Sequence, residues 1–412
     1  MLKILVVVAV LFIHTVNVFA TEYKVHGVLD LRATSANTLE SYVDGGYGKF
    51  TSGDGDNISL AQAGIELSAE WDTGISAHIV ANGYSDENDT TMGITEAYLK
   101  YRSLPNSSGY RWQTKAGIFY PEISLENNAF AWASRNTLNS SAINTWLGEE
   151  IRVLGGELAL TRLGKFNDSN YDISIAASGF VNNDPAGALL SWHGWTIGNR
   201  QTLWAESKAI PNFRARMPGY DLNGQAAKSD PFLELDDNWG FHIRSKIKVH
   251  NKGEITLGYY DNKATPYMVE NGQYGWRTRF THAGFSWRLP YAVELSAQYL
   301  TGDTLMQSPL RMDVVNNDYA SGYLAVSKRI KKHRFTLRLE EFSVNDNDKT
   351  VGDNNNEYGK SATSNYTYRY SKPLLLSVEY NWINSQRSAR MYVGKPVQLV
   401  ERQWQLAARY FF

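Results

Sequence analysis

The chain has 412 residues, a formal net charge of −1 and no cysteine. A net charge this close to zero argues against a nucleic-acid partner, and none is predicted. Without cysteine the chain has no disulfide, no thiolate metal site and no thiol nucleophile. Its 25 tyrosines and 12 tryptophans suit β-strands and the aromatic girdles of membrane barrels.

Residues 1–20 form the first predicted element. Lys3 precedes an apolar run over residues 4–13, and the segment ends in the small residue Ala20. A basic start, an apolar middle and a small-residue cleavage site are typical of a secretory signal peptide. The alternative is a membrane anchor, but the apolar run is shorter than the roughly 20 residues that a spanning helix needs. We therefore predict export through the general secretory route and a mature chain over residues 21–412.

Alternation of apolar and polar residues follows the leader and continues to the C-terminus. In segment 61–71 every second residue is Ala, Ile, Leu or Trp, and the residues between them are Gln, Gly, Glu or Ser. Successive side chains of a strand point to opposite faces, so such a segment has one apolar and one polar face. The pattern predicts about sixteen strands. They cover residues 23–33, 59–71, 75–84, 93–102, 110–119, 151–163, 170–180, 239–250, 253–261, 275–288, 291–301, 318–330, 334–343, 359–370, 374–384 and 400–412.

Short and long connections alternate between these strands. Segments 72–74 and 251–252 are examples of the short ones, and segments 120–150 and 181–238 are the longest of the others. This order is typical of a membrane barrel with short periplasmic turns and long external loops. We therefore predict an all-β fold, a transmembrane antiparallel up-and-down β-barrel over residues 21–412. The alternative is a soluble, secreted β-sandwich or β-helix.

The last predicted strand ends in Tyr410, Phe411 and Phe412. This terminus resembles the closing strand of bacterial outer-membrane barrels, in which a terminal Phe follows aromatic or apolar residues at alternate positions. The resemblance implies that the barrel-assembly machinery recognises the chain through Tyr410 and Phe412.

The layout of the whole mature chain resembles that of Gram-negative outer-membrane porins, and most closely the phosphate-selective-porin-like group. Segments 120–127, 141–150 and 191–195 are similar to stretches of uncharacterised porin-like chains. The resemblance implies a location in the outer membrane of a Gram-negative bacterium, in contact with outer-membrane lipid and lipopolysaccharide. The layout, with small residues on the apolar face of the second strand, also favours a homotrimer. No phosphate-binding site can be carried over residue by residue.

The connection over residues 120–150 is predicted to fold into the barrel as a constriction loop. Its candidate residues are Glu122, Glu126, Trp146, Glu149 and Glu150. The alternative is a loop that lies over the barrel mouth. The long external loop over residues 181–238 contains many large apolar residues, so we expect it to pack against the barrel rather than to extend into solvent.

The polar faces of the strands are predicted to line the lumen. Their basic residues are Arg32, Arg111, Lys115, Arg244, Lys246, Arg277, Arg279 and Arg338, whereas His282 falls on the predicted lipid face. A group of like charges favours the opposite ion, so we predict a mild anion preference. The alternative is a charge-balanced lumen with little selectivity.

These features predict a water-filled porin channel for passive diffusion of small hydrophilic solutes or ions. We predict no enzyme activity, because no recognisable catalytic constellation is present, and no cofactor or metal site. The alternative is an outer-membrane barrel with a structural, adhesive or enzymatic role and a blocked lumen.

Overall fold

The computed structural model describes residues 21–85 and 90–412 of the chain. The predicted leader over residues 1–20 lies outside them. Within the described residues sixteen strands form one closed antiparallel barrel, in which each strand pairs with its neighbours in sequence and the last strand pairs with the first. The predicted fold class and strand number are therefore confirmed. No helix in the described ranges is long and apolar enough to cross a membrane.

We number the barrel strands β1–β16 in chain order. Their bounds are Glu22–Asn37, Gly55–Glu70, Ile75–Ser85, Thr90–Arg102, Tyr110–Phe119, Val153–Arg162, Tyr171–Val181, Gly240–Val249, Gly253–Asp261, Arg277–Leu289, Val293–Gln307, Asp313–Ile330, His333–Asp346, Glu357–Arg369, Leu374–Arg387 and Gln398–Phe411.

Several strands continue beyond their predicted ends. β1 extends to Asn37, β11 extends to Gln307 and β12 begins at Asp313. These extensions lie at the end of the barrel that carries the long loops. There the hydrogen-bonded ladder continues, but polar residues occupy the outer face as well, as in the outward pair Arg279 and Asp303. The period-two pattern therefore stops before the strand does.

Two helices lie in the long loops. Helix α1 (Ala142–Glu150) belongs to the loop over residues 120–152, named L3, and helix α2 (Ala188–His193) belongs to the loop over residues 182–239, named L4. Further short elements are the 3-10 turns Tyr42–Asp44, Phe130–Trp132, Gly164–Phe166, Arg214–Arg216, Pro290–Ala292 and Ser388–Val393, and the two-residue ribbon strands Lys208–Ala209, Lys228–Ser229, Val269–Glu270 and Gln273–Tyr274.

The two faces of the barrel differ in polarity. On the outer face apolar side chains are exposed, for example Leu257 at 53% and Leu337 at 49%. On the inner face polar side chains are buried beneath the loops, for example Arg338, Thr363 and Asn381, each 0% exposed. A soluble barrel has the opposite arrangement, with apolar residues inside and polar residues outside. The outer face is therefore suited to lipid.

Candidate functional site

L3 passes through the interior of the barrel and binds its wall at Arg338 on β13. The fully buried guanidinium donates hydrogen bonds to the carbonyl oxygens of Asn139 and Ser140, both at 2.9 Å. It also forms ion pairs with Glu126 of L3 at 3.2 Å and with Glu340 of the same strand at 2.8 Å. Removing one partner of such a buried group leaves the others uncompensated, so these contacts hold L3 strongly.

Strands β15, β16 and β1, which follow β13 and β14 around the barrel, bind the same loop. Arg32 donates to the Asn139 side-chain oxygen at 2.8 Å, and Glu379 accepts from the Asn139 amide at 3.1 Å. Arg409 donates to the carbonyl oxygen of Ser134 at 3.0 Å. L3 is therefore attached along one continuous stretch of the inner wall, from β13 to β1.

Helix α1 carries the apolar contacts of L3. Ser141 caps it by accepting from the Asn144 amide, and Glu340 of the wall accepts from the Ala142 amide at 2.8 Å. A carboxylate at this position also complements the positive end of the helix dipole. The Trp146 ring meets the rings of Phe280, Tyr319 and Trp195 edge-on, at centroid distances of 5.4, 5.4 and 5.9 Å. The inner wall is therefore apolar where α1 packs.

The last residues of α1 connect L3 to L4. The Glu150 carboxylate accepts hydrogen bonds from the amides of Gly187 at 3.1 Å and Leu189 at 2.9 Å, at the start of α2. Burial raises the pKa of Glu150 to about 7, although these hydrogen bonds act against the shift. Burial also raises the pKa of the neighbouring Glu149 to about 8, against the opposing charge of Lys208. The two loops therefore pack as one body.

Arg387 of β15 holds the end of α2 inside the barrel. Its guanidinium donates to the carbonyl oxygens of Ser191 and Trp192, both at 2.8 Å, and pairs with Glu357 of β14 at 3.3 Å. Glu357 in turn accepts from the Trp195 amide at 3.0 Å. The helix C-terminus thus faces a cation, the favourable orientation for its dipole.

Lys49 completes this cluster from the first long loop. Its ammonium forms an ion pair with Glu357 and donates to the His193 carbonyl oxygen at 3.1 Å. Both side chains of the pair are 0% exposed. Gly194, which follows α2, has φ +69°, and a Cβ there would collide with the Glu357 carboxylate. The sequence 191–195 is therefore fitted closely to this charged cluster.

A polar chamber remains beneath L3, on the side of the short turns. Its volume is about 410 Å³, and Glu122 of L3 lies at its edge. Glu122 pairs with Arg244 at 2.9 Å and Lys246 at 3.3 Å, both on β8. Desolvation would raise the pKa of Glu122, but Arg244, Lys246 and Lys115 outweigh it and hold that pKa at about 2. The basic residues of β8 therefore face a compensating carboxylate. Other residues that line the chamber are Glu66, Glu96, Tyr98, Lys115, Tyr120 and Trp132.

The remaining candidate residues lie apart from this chamber or at its margin. Arg111 is half-buried and shares the inner face of β5 with Lys115. Tyr410 and Phe412 lie on the outer face, 45% and 49% exposed. No described contact tests their predicted role as an assembly signal, which stays a prediction.

The prediction of which β10 residues face the lumen and which face lipid was wrong. Arg279 lies on the outer face, where it pairs with Asp303 at 2.8 Å, and Arg277 shares that face. His282 lies inside instead, 1% exposed, with its Nε2 at 3.0 Å from Nε2 of His242. Phe280 points inward to pack on α1, so apolar character does not mark the lipid face of this strand. Assigning faces one residue out of phase reverses the whole strand.

Sequence reasoning missed the Lys49, Glu357 and Arg387 cluster. These residues lie at strand ends and in a long loop, beyond the alternating pattern. One signal was available, because counting outward from the short turn over residues 371–373 pairs Glu357 with Arg387 across the hairpin. Opposite charges at directly paired positions are a favourable cross-strand contact. The position of Lys49 in this cluster depends on the path of its loop, and no sequence pattern indicates it.

No protein-family model matches this sequence, and no curated protein matches it. Solved structures do resemble the fold. The outer membrane channel DcaP of Acinetobacter baumannii is 13% identical, with 95% of this chain and 97% of that chain covered and a TM-score of 0.55. OmpF of Salmonella typhi, in complex with daunomycin, is 12% identical over the same shares, with a TM-score of 0.53. At these identities the likeness shows the barrel fold alone.

Proposed function

We propose that the chain is an outer-membrane channel of the porin type in a Gram-negative bacterium. Small hydrophilic solutes or ions diffuse through it passively, and L3 and L4 narrow the path. The reversed polarity of the barrel faces carries this proposal, because an apolar outside and a polar inside suit lipid and water respectively. Sixteen strands enclose a lumen wide enough for water, loops and solute together.

The same proposal includes the lipids and proteins that contact the chain. Outer-membrane lipid and lipopolysaccharide contact the outer face, and the barrel-assembly machinery recognises Tyr410 and Phe412. The chain forms a homotrimer through small residues on the outer face of β2. Mobility in gel electrophoresis before and after boiling tests the oligomer.

Single-channel recording in planar bilayers tests the channel. The folded full chain should give stepwise conductance that rises with salt concentration. A barrel with a structural, adhesive or enzymatic role and a blocked lumen would give no such steps, so their absence from correctly folded protein would remove the channel proposal.

Only a weak anion preference is expected, because Glu122 compensates Arg244 and Lys246. Replacing Glu122→Gln removes the carboxylate partner of Arg244 and leaves Lys246 with Glu254 alone, at 4.0 Å. We expect the anion-to-cation permeability ratio to rise by roughly two- to fivefold, since one screened charge in the path is removed. The measurement is the reversal potential in a salt gradient.

The matched control is Glu341→Gln, which removes a carboxylate that is 61% exposed on the outer face. It should leave the permeability ratio at the wild-type value. An unchanged ratio in Glu122→Gln would mean that ions do not pass this part of the lumen.

A further inference from the structure

We propose that the chamber beneath L3 binds small amphoteric solutes, which carry both a carboxylate and an ammonium group. The solute carboxylate contacts Lys115 and the solute ammonium contacts Glu96 and Glu66. The inference rests on the proposed channel function and names the class of solute that the chamber selects.

Lys115 supplies the anion-binding group. The residue is 8% exposed and its side chain reaches the chamber. Its ammonium lies over the rings of Tyr98 and Phe119, 5.1 and 4.8 Å from their centroids. Across the described part of the chain, no carboxylate lies within ion-pair distance of this ammonium and no hydrogen bond to it is formed. A buried ammonium has three donors, so the vacant ones favour an anionic partner.

The strands on each side of Lys115 strengthen this preference. Lys100 of β4 stands directly opposite Lys115 and adds a second positive charge. Glu157 of β6 stands opposite on the other side, but its carboxylate forms no ion pair with Lys115 and accepts from Ser178 at 3.4 Å. Lys246 is already paired with Glu122 at 3.3 Å. Of the two lysines that line the chamber, Lys115 is therefore the one that forms no ion pair with the residues described.

Glu96 and Glu66 supply the cation-binding groups. Glu96 accepts one hydrogen bond through Oε2, from the Tyr120 amide at 3.3 Å, and Glu66 accepts one through Oε1, from the Ala131 amide at 2.8 Å. The second oxygen of each carboxylate forms no hydrogen bond in the described ranges, and both residues line the chamber. A charged donor can therefore bind at this side.

The two sides together favour a solute with both charges. A simple anion would leave the carboxylates uncompensated, and a simple cation would leave Lys115 uncompensated. A zwitterion compensates both, which offsets the cost of removing its own charges from water. The rings of Tyr98, Tyr120 and Trp132 also line the chamber and limit the bound solute to a small one.

Calorimetric titration of the detergent-solubilised full chain with glycylglycine tests this site, with acetate and methylammonium as singly charged probes. Glycylglycine should bind at least about tenfold more tightly than either. Lys115→Gln should weaken the binding of glycylglycine and of acetate by about tenfold, which corresponds to the loss of one charge-assisted hydrogen bond. Glu96→Gln should weaken the binding of glycylglycine and of methylammonium but leave the affinity for acetate unchanged. Lys115→Arg should retain binding, which separates loss of charge from loss of fold.

Glycylglycine that binds no more tightly than acetate, or that binds Lys115→Gln as well as the wild type, would overturn the proposal. Binding is measured at equilibrium and needs no open path. Binding without conductance would therefore overturn the channel alone, and conductance without binding would overturn the solute class alone.

Discussion

Replacement of Arg338→Met is expected to loosen L3 and to raise the single-channel conductance. The substitution removes the guanidinium donor from Glu126, from Glu340 and from the carbonyl oxygens of Asn139 and Ser140. Breaking a buried ion pair in this way costs about 3–5 kcal/mol. Hydrogen exchange at the amides of Leu138, Asn139 and Ala142 should accelerate at least about 100-fold, because these amides donate to carboxylates of the barrel wall.

Arg279→Met is the matched control, since it removes an arginine of an ion pair on the outer face. The Arg279 side chain is 44% exposed, so its pair with Asp303 contributes little. Exchange in L3 and the conductance should both stay at wild-type values. Wild-type exchange in Arg338→Met would show that the other contacts hold L3 without this residue.

Replacement of Arg387→Met is expected to release the end of α2 from the barrel. The carbonyl oxygens of Ser191 and Trp192 lose their donor, and Glu357 keeps Lys49 as its only cationic partner among the residues described. The lost contacts are buried and charge-assisted, so exchange at the amides of residues 191–195 should rise by about 100-fold. The conductance should rise as L4 withdraws from the lumen.

Lys263→Met provides the comparison for Arg387→Met. Lys263 also pairs with a carboxylate, Asp261, at 2.8 Å, but its side chain is 52% exposed. The Lys263→Met variant should not change the rate of amide hydrogen exchange in L4. Equal effects of the two substitutions would contradict a specific role for the buried cluster.

The barrel could be predicted because its main signal is local. Residues Ala61 to Trp71 alternate on their own, and a short turn fixes the register of each hairpin without reference to distant residues. The extension of β1 could not be predicted, since polar residues on both faces leave no periodic pattern. In the extension of β12 the consecutive buried residues Val314 and Val315 interrupt the alternation. The inner and outer faces of β10 were assigned wrongly for a different reason. Phe280 is apolar because it packs against α1 inside the barrel, and not because it contacts lipid.

The interior was predictable in composition but not in arrangement. Arg32, Lys115, Arg244, Lys246 and Arg338 fall on inner faces, as strand parity suggests. Their partners come from L3 residues more than a hundred positions away in several cases, as for Arg338 and Glu126. Such pairing depends on the path of a loop, which no residue spacing encodes. For the same reason the pairing of Glu122 in L3 with Arg244 and Lys246 on β8 could not be predicted.

The most direct test of the account compares two adjacent residues of β8. The chain has no cysteine, so Lys246→Cys and Ile247→Cys each introduce a single thiol. The Lys246 side chain is 26% exposed in the lumen, and Ile247 is 43% exposed on the outer face. In lipid nanodiscs we expect a charged, membrane-impermeant thiol reagent to modify Lys246→Cys rapidly and Ile247→Cys hardly at all, because lipid covers the outer face. Faster modification of Ile247→Cys, as its exposure without lipid would give, would contradict the orientation of the barrel faces on which the channel depends.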